Sequence, residues 1–162
     1  MDRPTKEDQM IEVSAPAPDF TLPQDGGDDV TLSALQGSAV VLFFYPRDDT
    51  PGCTKESIGF STSLQEFADA GALVFGISKD SLIKHAKFSK KHALTVPLLS
   101  DEHGSVCEGY DVWKEKNMYG KTYMGIERTT VLIGADGNIV QIWPKVKVAG
   151  HVEAVLDVVK SL

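Results

Sequence analysis

The sequence predicts an α/β fold with a mixed central sheet and a β-hairpin on its N-terminal side. Three observations carry this. Residues 39–45, AVVLFFY, are continuously apolar and rich in β-branched and aromatic types, which reads as a strand buried on both faces. Strand-like and helix-like runs then alternate, as parallel strands with right-handed crossovers require. Late in the chain, Asp136-Gly137 turns one strand-like run back on another and gives an antiparallel pair.

The elements follow in order. Residues 1–12 are charged and read as a mobile arm, leaving 13–162 as a single domain. Residues 13–18 alternate with prolines and should be extended. Short strands at 20–22 and 30–32 flank the turn signal QDGGDD, an N-terminal hairpin. Ser33 could cap a helical turn ending at Gly37. The strand at 39–45 stops at Pro46, which cannot donate to a ladder. Residues 47–52 hold a second proline and a glycine and form a loop. A helix then runs from Cys53 to about residue 69, with Phe60, Leu64 and Phe67 on one face. Gly59 inside it marks either a kink or a close approach. Strands at 72–77 and 96–99 bracket a lysine-rich helix at 81–92, on which His85 and His92 read as surface groups. Residues 105–110 make a short helix at best, and 129–133 and 139–143 the closing strand pair. Val152, Val155, Leu156, Val159 and Leu162 form the stripe of a last helix. The outline is thioredoxin-like.

The length suits one domain with a core of its own. A net charge of -7 and a pI near 5.0 argue against a nucleic-acid or anionic-membrane surface. No apolar run approaches membrane-spanning length, and the N-terminus carries no secretory signal. Two cysteines make no disulfide framework, so a cytoplasmic, reducing setting is expected.

Cys53 falls where a central strand hands over to a helix N-terminus, the place where parallel sheets bind ligands. Only the thiolate attacks, and a free thiol with a pKa of about 8.5 is roughly 3% ionised at neutral pH. A helix start and a nearby cation favour ionisation. Arg47 and Arg128 are the candidate cations, the second because the strand at 129–133 could carry it beside the loop. Thr50 can place its hydroxyl in the same pocket. Position 56 holds Glu56 rather than a second cysteine, which disfavours C-x-x-C disulfide chemistry. A thiolate ringed by donors suits attack on a peroxide oxygen, with charge stabilised on the leaving oxygen and a sulfenic acid as product. The adjacent Asp48 and Asp49 read as solvated carboxylates, and no metal is expected.

Pro46, Thr50 and Cys53 match the P-x-x-x-T-x-x-C signature of peroxiredoxins. FYPRDDTPGCTKE, PDFTLP, VPLLSDEHGSVCEGYDVW and GKTYMGIERTTVLIGADG, in that order, resemble the bacterioferritin-comigratory-protein (PrxQ) subfamily. The similarity spans residues 15–162. It implies a thioredoxin fold with an N-terminal extension and Cys53 as peroxidatic cysteine. Thr50 would bond the peroxide and thiolate, Arg128 would stabilise the charge, and Pro46 would shield the site. The N–H groups of Gly52 and Cys53 would complete the pocket. No cofactor is implied. The partners would be a peroxide and thioredoxin or another thiol, and the subfamily leans to a monomer, with a dimer as the alternative.

One departure matters. Many members carry a resolving cysteine five residues after the peroxidatic one, where this chain has Ile58; others carry it on the next helix, which here has none. Only Cys107 remains, as a buried structural thiol or a resolving one. The expectation is a one-cysteine cycle completed by an external thiol. A peroxide sensor that relays oxidation to a partner, or a holdase, are the competing classes.

Overall fold

The computed structural model describes residues 11–162. All but the last two residues of the expected arm lie outside that range; Ile11 packs on the core. Nine strands and five α-helices follow among the described residues. The strands are β1 (Thr21–Gln24), β2 (Gly27–Thr31), β3 (Ala39–Phe44), β4 (Ala72–Ser78), β5 (Leu98–Ser100), β6 (Trp113–Met118), β7 (Lys121–Ile126), β8 (Thr129–Ile133) and β9 (Ile139–Trp143). The helices are α1 (Pro51–Thr62), α2 (Leu64–Asp69), α3 (Leu82–His92), α4 (Val106–Gly109) and α5 (His151–Lys160).

Seven strands form one mixed sheet in the order β2-β1-β5-β4-β3-β8-β9. The β3–β4 and β4–β5 pairs are parallel, and β3–β8 and β8–β9 antiparallel. The N-terminal hairpin is part of this sheet, because β1 pairs with β5. All six β3 residues are buried, as a central strand covered on both faces must be. Val40, Leu42 and Phe44 enter one core with Phe20, Cys107, Tyr110 and Ile126. Val41, Phe43 and Tyr45 enter the other, with Cys53, Phe60, Phe67, Phe88 and Val155. The second core lies under α1, α2, α3 and α5.

Four readings of the sequence need correction. The helix expected over 53–69 is two, broken at Ser63 (φ -96, ψ 5). Just before the break, Ser61 is drawn into tertiary bonds: its Oγ accepts from the Thr95 and Val96 N–H groups and its carbonyl from Thr95 Oγ1. Ser33 lies inside the 3-10 turn Leu32–Leu35 rather than at its cap; its N–H donates to Asp19 at 2.8 Å. His85 is buried, not a surface group. The hairpin β6–β7 has no counterpart in the expected elements. It turns at Tyr119 and Gly120, both at positive φ (55 and 76), and forms a separate two-stranded sheet.

Gly59 is a close approach. A Cβ there would lie 2.9 Å from Val152 Cγ2 on α5. Gly76 in β4 is tighter, with Phe43 Cζ at 2.6 Å and Leu98 Cδ2 at 2.9 Å from a built Cβ. Gly76→Ala therefore overpacks the core at Phe43 and Leu98. It should lower unfolding free energy by about 1–3 kcal/mol, read from the urea midpoint at unchanged m.

Candidate active site

Cys53 is the third residue of α1. Thr50 precedes the helix in extended conformation (φ -99, ψ 155), and Pro51 takes the first helical position, where its missing N–H costs no bond. The first ladder bond runs from the Thr54 N–H to the Thr50 carbonyl at 2.8 Å. The N–H groups of Gly52 and Cys53 therefore precede the ladder and point out of the helix start. The helix dipole adds partial positive charge at the same spot.

Arg128 comes from the other side. Thr129 pairs with Phe44 across the β3–β8 ladder, so Arg128 leaves the sheet beside Tyr45 and Pro46. Its Nη2 donates to Cys53 Sγ at 3.4 Å, and its Nη1 to Glu56 Oε1 at 2.8 Å. Burial works against the Arg128 charge, but Cys53 and Glu56 outweigh it and raise its pKa further. Gly52 leaves the guanidinium its room, since a Cβ there would sit 2.9 Å from Nη2. Cys53 and Glu56 have no exposed surface. Burial pushes the Glu56 carboxyl up to about 7 against the pull of Arg128, and its Oε2 has no partner.

The chain thus brings Pro46, Thr50, Gly52, Cys53 and Arg128 to one place and adds Glu56. Thr50 closes the loop rather than capping the helix: its Oγ1 donates to the Arg47 carbonyl at 2.9 Å and keeps its lone pairs free to accept. Arg47 itself is exposed and makes no bond to Cys53.

Residues 13–142 match the AhpC/TSA family. Peroxiredoxin Bcp of Xanthomonas campestris is 47% identical over 95% of this chain and 96% of its own length. That of Bacillus subtilis is 46% identical over 94% and 97%. A structure of the X. campestris bacterioferritin comigratory protein, studied for its alkyl peroxide reduction activity, superposes with a TM-score of 0.83. It is 48% identical and covers 88% of this chain and 90% of its own. The chain belongs to the AhpC/TSA family, as a peroxiredoxin of the Bcp type.

The second cysteine of this peroxiredoxin is far from the first in architecture. Cys107 lies in α4, in the core on the opposite face of the sheet from Cys53. Its N–H donates to Asp101 at 2.8 Å, and burial together with the Asp101 charge drives its thiol pKa far up. Trp113 packs on that same opposite core, with the Lys79 ammonium 5.2 Å above its ring, so it does not border Cys53. Ile58 is 41% exposed on α1.

Behind the Cys53 loop the peroxiredoxin holds a buried network that the sequence reading took for solvated groups. Asp48 accepts from Tyr45 Oη at 2.6 Å and pairs with His85 Nδ1 at 2.7 Å. His85 Nε2 donates to the Leu99 carbonyl at 2.9 Å, so both ring nitrogens face acceptors. The Asp48 N–H donates to Asp80, which also accepts from Ser78. Burial opposes the His85 charge, but the Asp48 bond and charge, the Leu99 carbonyl and Asp80 raise its pKa above 6.5. The neighbouring Asp49, at φ 60, is exposed and bonds Lys91 and His92.

This gives a pH dependence of stability. The folded pKa of His85 is raised, so its contribution is complete below about 6.5 and is lost as pH rises through the folded value. Glu56, also raised, loses its contribution earlier, between about 4.5 and 7. The melting temperature of the wild type should fall above about pH 7, and His85→Gln should flatten that limb while leaving the Glu56 limb in place. Parallel curves for the two proteins above pH 7 would contradict the assignment.

Proposed function

We propose that this peroxiredoxin reduces hydrogen peroxide and organic hydroperoxides through Cys53 and is recycled by an external thiol. The observation that carries the reading is Cys53 Sγ, at the first turn of α1, receiving the Arg128 guanidinium at 3.4 Å. In this reading the Cys53 thiolate attacks the terminal oxygen of the hydroperoxide. The O–O bond breaks, the sulfur is oxidised to a sulfenic acid, and the other oxygen leaves as an alkoxide or hydroxide that takes up a proton. Arg128 and the N–H groups of Gly52 and Cys53 stabilise the negative charge as it moves from sulfur to the leaving oxygen. Thr50 accepts from the peroxide O–H, because its own proton is held by Arg47. Glu56 aims the guanidinium, and Pro46 shields the pocket from water.

An external thiol is favoured because Cys107 and Cys53 belong to cores on opposite faces of the sheet. A disulfide needs Cα atoms about 4.4–6.8 Å apart, and the whole sheet stands between these two. Thioredoxin acting on a monomer in the cytoplasm is the form of the cycle we propose. No helix among the described residues is long and apolar enough to cross a membrane.

Two experiments test this. Cys53→Ser should abolish catalytic peroxide loss, and Arg128→Met should slow the second-order reaction with peroxide by about 10² or more, followed by stopped flow. Full activity in either variant refutes the role assigned to that residue. Separately, one equivalent of peroxide should produce a trappable sulfenic acid at Cys53. Non-reducing peptide mapping should find no Cys53–Cys107 linkage, whereas Ile58→Cys should introduce a disulfide from residue 58 to Cys53. A Cys53–Cys107 linkage in the wild type refutes the one-cysteine cycle.

A further inference from the structure

The reductant must approach the start of α1, and the surface there has a charge of its own. The molecule is acidic, with a net charge of -7. Its excess acid lies elsewhere: Asp28 and Asp29 are exposed on β2, Glu66 and Asp69 on α2, and Glu153 and Asp157 lie on α5. Beside the Cys53 loop the sign reverses. Lys84, Lys87 and Lys91 fall at i, i+3 and i+7 on α3, one stripe of the helix. With Arg47 they border a groove between α3 and the loop that ends at Thr50.

The groove also holds three carboxylates, Asp48, Asp49 and Asp80, against its four cations. Asp48 is committed to His85 and Tyr45, and Asp80 to Ser78 and the Asp48 N–H. Asp49 is shared by Lys91 and His92. Among the described residues no carboxylate lies in ion-pair range of Arg47, Lys84 or Lys87, and all three are exposed. An acidic molecule of this kind repels an acidic partner at long range. A local run of cations, unpaired at Arg47, Lys84 and Lys87, then selects where such a partner can land.

Building on the peroxidase reading above, we propose that the groove formed by Arg47, Lys84, Lys87 and Lys91 docks an acidic face of a thiol-bearing reductant protein. Docked there, the reductant's thiolate lies at the end of the loop that carries Cys53. It attacks Cys53 Sγ, the S–O bond breaks, and the hydroxide leaves as water. A second thiol of the reductant then breaks the mixed disulfide, releasing the Cys53 thiolate and leaving the reductant as a disulfide. The cations take no part in these bonds; they set the encounter.

The test uses the full-length protein with an acidic thioredoxin and, in parallel, with dithiothreitol. In Lys84→Glu/Lys87→Glu the KM for thioredoxin should rise about tenfold, with turnover on dithiothreitol unchanged. The wild-type KM for thioredoxin should climb with ionic strength, and that slope should flatten in the milder Lys84→Gln/Lys87→Gln variant. A thioredoxin KM within twofold of wild type in both variants overturns the proposal. So does an equal loss with dithiothreitol, because the lysines would then act on Cys53 and not on docking. Absence of peroxide loss in the wild type with either thiol would instead refute the peroxidase reading.

Discussion

The contact between Arg128 and Cys53 is the constraint on which the rest of the site depends. Its two residues are 75 positions apart and meet only because β8 lies antiparallel to β3 with Thr129 opposite Phe44. A slip of one residue in that ladder would turn every β8 side chain to the other face and withdraw the guanidinium. The register is protected by burial, since β8 is buried throughout and splits its residues between two cores. The same contact explains Gly52, because any side chain there would meet Nη2. It explains Glu56 as well. A buried guanidinium loses hydration, and a carboxylate at 2.8 Å offsets that loss while fixing the direction of the fork. Glu56 accepts the cost in its own displaced ionisation.

The Cys53 loop is held from both sides by charge. On one side stands Arg128. On the other, Asp48 is bound by Tyr45 and His85, and its N–H by Asp80, so the loop is tied to β3, β4, β5 and α3 at once. Buried charged groups of this kind add little net stability over apolar packing, but removing one partner leaves another uncompensated. Their effect is to allow one loop shape. Asp49 is held at φ 60 next to this anchor, in a region that few residues other than glycine occupy.

What was legible in the sequence was whatever depends on local pattern. The apolar run of β3, the proline after it, the Asp136-Gly137 turn and the stripe of α5 carry their own signals, and the mixed sheet follows from their order. The P-x-x-x-T-x-x-C spacing brought Pro46, Thr50 and Cys53 together, and the expected strand after Arg128 brought that residue in. The misses have a common physical cause. Asp48 and His85 are polar residues whose burial depends on each other, 37 positions apart, and nothing local distinguishes them from solvated groups. The hairpin β6–β7 is largely exposed, so lysines on both strands hide the alternation that marks a strand with one buried face. The break at Ser63 sits beside Ser61, which bonds a loop 34 residues away, a contact that local pattern does not announce.

The placement of the two cysteines has a consequence for dynamics. Cys53 has no exposed surface, and Arg128, its cover, is 17% exposed at the side chain. Hydrogen peroxide is little larger than water and needs only a small displacement of the guanidinium. A protein thiol is attached to a backbone and needs much more room. In the proposed cycle that thiol comes from outside, because Cys107 lies across the sheet, and its access calls for a loosened first turn of α1. The bonding pattern allows this. Loop residues before Thr50 are pinned by Asp48, His85 and Asp80, whereas Thr50 makes no side-chain cap bond and Pro51 is exposed. In the proposed cycle oxidation alters the sulfur that Arg128 bonds at 3.4 Å, one of the contacts that hold this turn. In that cycle the first step acts on the same contact that the second step has to open.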